Sequence, residues 1–211
     1  MISVAKKAKL GILGSTKGTD LQAIIDTIDL GDLSASVEVV ISNRKKAYIL
    51  ERTRKHGIEA VFISHKGKEW EEFDREMTEV LEAKGVELIL LIGFMRILSP
   101  WFCRHWRNRI LNVHPSLLPK YAGGMDMNVH EEVLKNGETE TGCTIHIVTE
   151  ELDAGPIVVQ KRCSVEPNDT PETLKEKVQV LEGDAFIESI KKFQEGKMAD
   201  FSIQRRYTGV S

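Results

Sequence analysis

The chain has 211 residues, 41% of them hydrophobic and 29% charged, with a net charge of −3. That composition supplies a sizeable core for one α/β domain, and its slight acidity, with Lys and Arg scattered, gives no footing for nonspecific nucleic-acid binding. The apolar stretch Leu88 to Met95 is too short to cross a bilayer, and no apolar run follows the basic start Met1-Ile-Ser-Val-Ala-Lys-Lys. The start therefore reads as a surface lead-in and the expected location is cytoplasmic.

Leu10 to Leu13 reads as a buried strand, and Leu21 to Ile28 as a helix with Leu21, Ile24, Ile25 and Ile28 at helical spacing. Between them lies the loop Gly14-Ser-Thr-Lys-Gly-Thr-Asp20. Free N–H groups and the positive dipole end of the helix make an anion site there, with Gly18 permitting close approach and Ser15, Lys17 and Thr19 available to a phosphate. The loop is neither a Walker A motif nor a Gly-x-Gly-x-x-Gly fingerprint, and an ordinary capped turn accounts for it equally well.

Val37 to Ile41 is the next strand, Ala47 to His56 a helix closed by Gly57, and Val61 to Ile63 a strand. Trp70 to Ala83 follows as an amphipathic helix closed by Gly85, then Glu87 to Ile92 as a buried strand. Such alternation with continuous apolar strands predicts a Rossmann-like α/β fold, a mostly parallel sheet with helices on both faces. Ligands in such sheets sit beyond the carboxyl ends of the strands, where Gly14 to Thr19, Gly93 to Arg96 and Asn112 to His114 emerge. Phe94-Met95-Arg96-Ile97-Leu98 sets apolar side chains around one guanidinium, chemistry suited to a flat heteroaromatic ring. It also reads as the end of a core strand before a helix start at Ser99-Pro100.

In Arg109-Ile-Leu-Asn-Val-His-Pro-Ser-Leu-Leu-Pro119, strand alternation puts Asn112 and His114 on one face and turns Val113 into the core. Pro115 and Pro119 stiffen the exit. An amide donor beside an imidazole suits acyl-group chemistry, where a carbonyl oxygen gains negative charge and an amine sheds a proton; a satisfied strand-end pair is the plainer alternative. Beyond it come a helix near Val129 to Lys135, strands at Thr144 to Val148 and Ile157 to Lys161, and a long helix from Pro171 to Phe193. His146 is expected to be a structural partner, while His56, His65, His105 and His130 are expected on surface helices or loops without metal-ligand spacing. Cys103, Cys143 and Cys163 lack Cys-x-x-Cys spacing and read as reduced packing residues.

Four segments, in this order, resemble the folate-dependent formyltransferases. Gly18-Thr-Asp-Leu-Gln-Ala-Ile-Ile-Asp26 looks like that family's phosphate loop and first helix, and Gly93-Phe-Met-Arg-Ile-Leu-Ser-Pro100 like its folate-site segment. Asn112-Val-His-Pro-Ser116 resembles its catalytic strand end, and Thr149-Glu-Glu-Leu-Asp-Ala-Gly-Pro156 the loop carrying its aspartate. The resemblance implies a formyltransferase fold over 1–211 as a single domain, with a phosphate-binding half at about 8–100 and a folate and catalytic half at about 101–211. It implies transfer of a formyl group from 10-formyltetrahydrofolate, as cosubstrate, to the amine of 5'-phosphoribosylglycinamide in de novo purine biosynthesis. It also implies no metal, no nucleic-acid or membrane partner, and a monomer or homodimer.

Carried over position by position, Asn112, His114 and Asp153 are catalytic, and Lys17, Gly18, Thr19, Asp20 and Glu182 hold the ribonucleotide. Met95, Arg96, Ile97, Leu98 and Val148, with Asn112 and Asp153, take the folate. Asp153 is expected to lift the pKa of His114 above its ordinary 6.5 by stabilising imidazolium. The chain departs from the family at Asp20, where relatives usually carry Asn and a carboxylate would repel phosphate. It departs again at Trp70, with Lys66 and Lys68 nearby, where relatives commonly have Arg for the folate tail. The 122–130 stretch is longer, and Gly183-Asp-Ala-Phe186 replaces a commoner His-containing sequence. The rival readings are a formyltetrahydrofolate deformylase, with water replacing the amine, and a noncatalytic folate- or nucleotide-binding module, which would be expected to lose one of the three catalytic residues.

Overall fold

The computed structural model describes residues 7–124 and 127–198; the lead-in over 1–6 and positions 125–126 of the long loop lie outside the described residues. Seven strands form one sheet: β1 (Ala8–Gly14), β2 (Ala35–Ser42), β3 (Ala60–Phe62), β4 (Leu88–Ile92), β5 (Ile110–His114), β6 (Glu140–Ile147) and β7 (Ile157–Ser164). Their hydrogen-bonded order is β3-β2-β1-β4-β5-β6-β7. Six helices accompany them: α1 (Thr19–Asp29), α2 (Tyr48–Lys55), α3 (Trp70–Ala83), α4 (Pro100–His105), α5 (Met127–Lys135) and α6 (Pro171–Gln194). The chain divides into two compact units inside β5, between Asn112 and Val113.

In the first unit, β1 pairs in parallel with β2 and β4, β2 with β3, and β4 with β5. Every residue of β4 is buried, as its unbroken Leu-Ile-Leu-Leu-Ile run requires of a strand covered on both faces. Each such side chain contributes roughly 1.5–3 kcal/mol of burial. Ser99 then stops the chain from wandering. Its side chain caps α4 by accepting from Phe102 N at 3.2 Å, while its own N–H donates to Asp74 Oδ2 at 2.6 Å. The segment between β4 and α4 is thereby anchored at its α4 end.

In the second unit, β6 and β7 form an antiparallel pair running from Glu140 opposite Ser164 to His146 opposite Ile157, with a register shift at Ile145/His146. Both strands exceed the expected spans, β6 starting at Glu140 and β7 reaching Ser164. α6 packs on both strands and opens with a reciprocal Thr170–Thr173 capping box and proline in its first turn. Val129 and Val133 of α5 meet Leu174 of α6 in a small core, with Tyr121 against it. His130, expected at the surface, is 1% exposed: α5 turns it inward with its apolar neighbours. Val113 is half-buried rather than a core residue.

Cys103, Cys143 and Cys163 are all free thiols, the first two buried. Among the described residues no helix is long and apolar enough to cross a membrane, and no group of three or more His, Cys, Asp or Glu could hold a metal ion.

Candidate functional site

β5 ends on His114, which is 3% exposed, and the loop after β6 brings Asp153 to it. His114 Nδ1 lies 3.3 Å from Asp153 Oδ2, and His146 Nε2 lies 3.4 Å from Asp153 Oδ1, so one carboxylate stands between two imidazoles. The Gly123 N–H donates to Asp153 Oδ2 at 2.9 Å. His146 itself is oriented by its Nδ1, which lies 3.2 Å from the Ile147 carbonyl. On its other side His114 Nε2 is 2.9 Å from the Tyr121 carbonyl, which can only accept, so that nitrogen carries a proton.

Both nitrogens of His114 therefore face acceptors, an arrangement that imidazolium would satisfy with two donors. Burial works against that charge and prevails. The pKa of His114 lies below 6.5 because desolvation outweighs the lift from Asp153 and the Tyr121 carbonyl, with His146 adding to the lowering. The expectation of a raised value is overturned: attraction to a carboxylate is legible in a sequence, whereas the loss of hydration around the ring is not. Asp153 goes the other way. Burial alone would raise its carboxyl, but hydrogen bonds from His146 and Gly123 and the charges of both histidines together hold it below the ordinary 3.8.

The backbone here is strained. Asn108, Tyr121 and Asp153 are the non-glycine residues at positive φ among the described residues, and two of them, Tyr121 at 61° and Asp153 at 52°, make these contacts to His114. The Tyr121 carbonyl and the Gly123 N–H were not foreseen from the sequence, because backbone partners leave no residue-type signal. Asn112 precedes His114 by two positions on β5 and is half-buried. Val148 is half-buried just past β6, and Glu182 is half-buried on α6. A cavity of about 450 Å³ in the same unit lies elsewhere, lined by residues such as Leu117, Val133 and Arg162, and includes neither His114 nor Asp153.

In the first unit, the loop after β1 turns into α1 through Gly18 at φ 69°, an N-cap with no side chain to cap the first-turn N–H groups. A Cβ on Gly18 would strike Ile49, so the close approach requires glycine twice over. Lys17 and Thr19 are exposed. Ser15 is not available as expected: it is 2% exposed, donates to Asn43 Oδ1 at 2.6 Å and accepts from Met95 N at 3.0 Å. Asp20 is 6% exposed, and its Oδ1 is buried without a hydrogen-bond partner. Burial pushes its carboxyl from 3.8 up to about 7.

The 93–98 segment presents Met95 and Ile97, 37% and 62% exposed, while Leu98 turns into the core. Arg96 is half-buried, its guanidinium 5.0 Å from the Phe73 ring centre and near enough to Asp74 to offset part of the rise that burial gives that carboxyl's pKa. The guanidinium is thus directed toward α3, and the segment presents apolar side chains and backbone groups at its surface. One of those groups is taken already: Trp70 Nε1 donates to the Ile97 carbonyl at 2.8 Å. Lys68 is engaged with Glu76.

Residues 8–190 match the family model described as formyl transferase. The chain is 38% identical to the phosphoribosylglycinamide formyltransferase of Escherichia coli over 188 residues, covering 89% of this chain and 87% of that protein. It is 43% identical over 182 residues to the bovine trifunctional purine biosynthetic protein adenosine-3, covering 86% of this chain but only 18% of that protein's length. Among solved structures, the phosphoribosylglycinamide formyltransferase of Coxiella burnetii superposes with a TM-score of 0.85 at 42% identity, over 90% of this chain and 89% of that one. With the parallel sheet, the strand-end Asn-x-His and the facing aspartate in place, a match over nearly the whole sheet places the chain in the formyl transferase family.

Proposed function

We infer that this formyl transferase family member acts as a phosphoribosylglycinamide formyltransferase, moving the formyl group of 10-formyltetrahydrofolate to the amine of 5'-phosphoribosylglycinamide in purine biosynthesis. The observation that carries the reading furthest is Asp153 held between His114 and His146, with Asn112 two residues upstream of His114. Its reaction needs an oxyanion donor and a proton acceptor, and no covalent enzyme intermediate.

The neutral amine attacks the formyl carbon, and Asn112 donates to the oxygen on which charge develops. Because burial keeps His114 neutral near pH 7, it begins as the acceptor rather than as a preformed cation. The amine proton passes, through water, to the His114–Asp153 pair, and the imidazolium so formed is stabilised by Asp153 and balances the oxyanion. As that intermediate collapses, the proton goes to the departing folate nitrogen. Lys17, Gly18, Thr19 and Asp20 hold the acceptor's phosphate and Glu182 its sugar or glycinamide portion. Met95 to Leu98, Val148 and Asp153 contact the folate. Function as a monomer or homodimer in the cytoplasm, without metal, accords with these small-molecule substrates.

Incubating the pure protein with 10-formyltetrahydrofolate, with and without glycinamide ribonucleotide, tests the assignment. Amine-dependent loss of the formyl group is the expected result. Turnover independent of the amine would make the chain a deformylase, and folate binding without turnover would make it a noncatalytic module.

A further inference from the structure

Asp20 is the second residue of α1, in the turn whose N–H groups have no side-chain cap. A carboxylate there would ordinarily be favoured by the helix dipole and would accept from one of those groups. This one is 6% exposed, and its Oδ1 is sealed from solvent with no partner. An ionised carboxylate forgoes both hydration and a hydrogen bond at that oxygen, a heavy penalty, whereas a neutral carboxylic acid loses less and keeps an O–H to donate. Phosphate oxygens are acceptors, and the loop before Asp20 is built for an anion.

We propose that Asp20 serves this site as a neutral carboxylic acid, donating its O–H to a phosphate oxygen of the acceptor, so that binding of the acceptor carries a proton with it. The proposal rests on reading the 14–20 loop as the phosphate site. It removes the conflict of placing an acid where a dianion must sit: the like charge is absent when the ligand is bound, and a bound dianion in turn favours the protonated acid. The carboxyl is already raised to about 7 by burial, so the proton is available near neutral pH.

Several charged groups on α1 and the elements packed against it have partners of their own, while Asp29 of α1 is exposed. On α2, Arg52 donates to the Lys17 carbonyl and to Gln22, and Glu51 pairs with Lys55. His56, just past α2, and Asp26 of α1 both meet Gln22, and Glu38 of β2 accepts from Ser36. Lys17 is exposed. Glu182, the other carboxyl assigned to the acceptor, is the rival source of any pH dependence.

Calorimetric binding of ribose 5-phosphate tests the proposal without an amine that titrates and without turnover. At pH 8 the ligand is almost wholly dianionic, its second pKa being about 6. In two buffers of different ionisation enthalpy, the protein should take up close to one proton per ligand bound. Its affinity should fall by about tenfold per pH unit from pH 7.5 to 9. Asp20→Asn should abolish the uptake and flatten that slope while still binding. Binding by the unaltered protein with no proton uptake overturns the proposal, as does a slope removed by Glu182→Gln and retained by Asp20→Asn. No ribose 5-phosphate binding at any pH overturns the phosphate reading and the proposal together. Proton-linked binding in a protein that fails to transfer formyl groups would uphold the proposal while sinking the enzymatic assignment.

Discussion

Two enclosed aspartates follow the ends of two strands, and their carboxyls shift in opposite directions. Asp20, after β1, is 6% exposed with an orphaned oxygen and a carboxyl pushed up to about 7. Asp153, after β6, is nearly as enclosed, yet two imidazoles and a glycine N–H hold it below its ordinary value. Desolvation acts on both alike. Partners decide the charge, and with it whether a carboxyl can stabilise a cation or can itself donate a proton.

The comparison breaks most visibly at Asp153. Asp153→Asn and His114→Ala should each cost about 10²-fold or more in kcat while leaving the circular-dichroism spectrum intact, since each removes half of the proton-accepting pair. Near-normal turnover in either variant would refute the mechanism. The sign of the His114 shift adds a pH test. A neutral acceptor with a lowered pKa stays functional down to below pH 6.5, so the acid limb of kcat/KM should fall below that value; a limb above it would mean that the cationic form starts the reaction.

His146→Phe asks whether Asp153 is held ionised by its second imidazole. A hydrogen bond to a charged group is worth about 1.5–3 kcal/mol, so roughly tenfold in kcat should go. Without His146, whose charge helps lower the His114 pKa, the His114 ring titrates at higher pH and the acid limb should move upward. A loss of kcat with an unmoved limb would make His146 a packing residue.

The opposite sign at Asp20 is readable as stability. Its folded pKa is raised above the unfolded 3.8, so the folded state holds the proton more tightly and stability from this group falls as pH rises from about 4 to about 7, then levels. Asp20→Asn should therefore melt higher than the parent by a few °C at pH 8, with the gap shrinking toward pH 4. A constant gap across that range would show that Asp20 is not titrating there.

The smallest effect concerns the 93–98 segment. Trp70→Phe removes the bond to the Ile97 carbonyl, worth about 0.5–1.5 kcal/mol, and should raise the folate KM a few-fold at most while leaving the acceptor KM alone. An acceptor-specific change would contradict the division of roles between the loops.

The sequence carried the elements well because strand and helix periods are local. The Leu-Ile-Leu-Leu-Ile run of β4, the Gly85 stop after α3 and the proline-led start of α6 each announce themselves within a few residues. His114 and Asp153 were nameable for the same reason, since their strings are short. What stayed hidden depends on summed surroundings. A carboxylate near the start of a helix reads as a dipole partner, and nothing in Gly-Thr-Asp20 tells that its oxygen is sealed. Arg96, flanked by Met95 and Ile97, reads as a ligand contact, but Phe73 and Asp74, distant in sequence, draw it toward α3. His130 looked exposed because, beside Asn128, Glu131 and Glu132 on a short helix, it gives no sign of which face it joins.

The left-handed backbone at Asp153, φ 52°, narrows which side chains evolution can try there. Asn and Asp enter that conformation far more readily than other side chains except glycine, which brings no functional group. Glutamate would keep the acid but fit the turn poorly, and asparagine would keep the turn but lose the acid. Two independent demands, one stereochemical and one electrostatic, thus overlap on a single amino acid. Drift at this position meets a dead end in every direction.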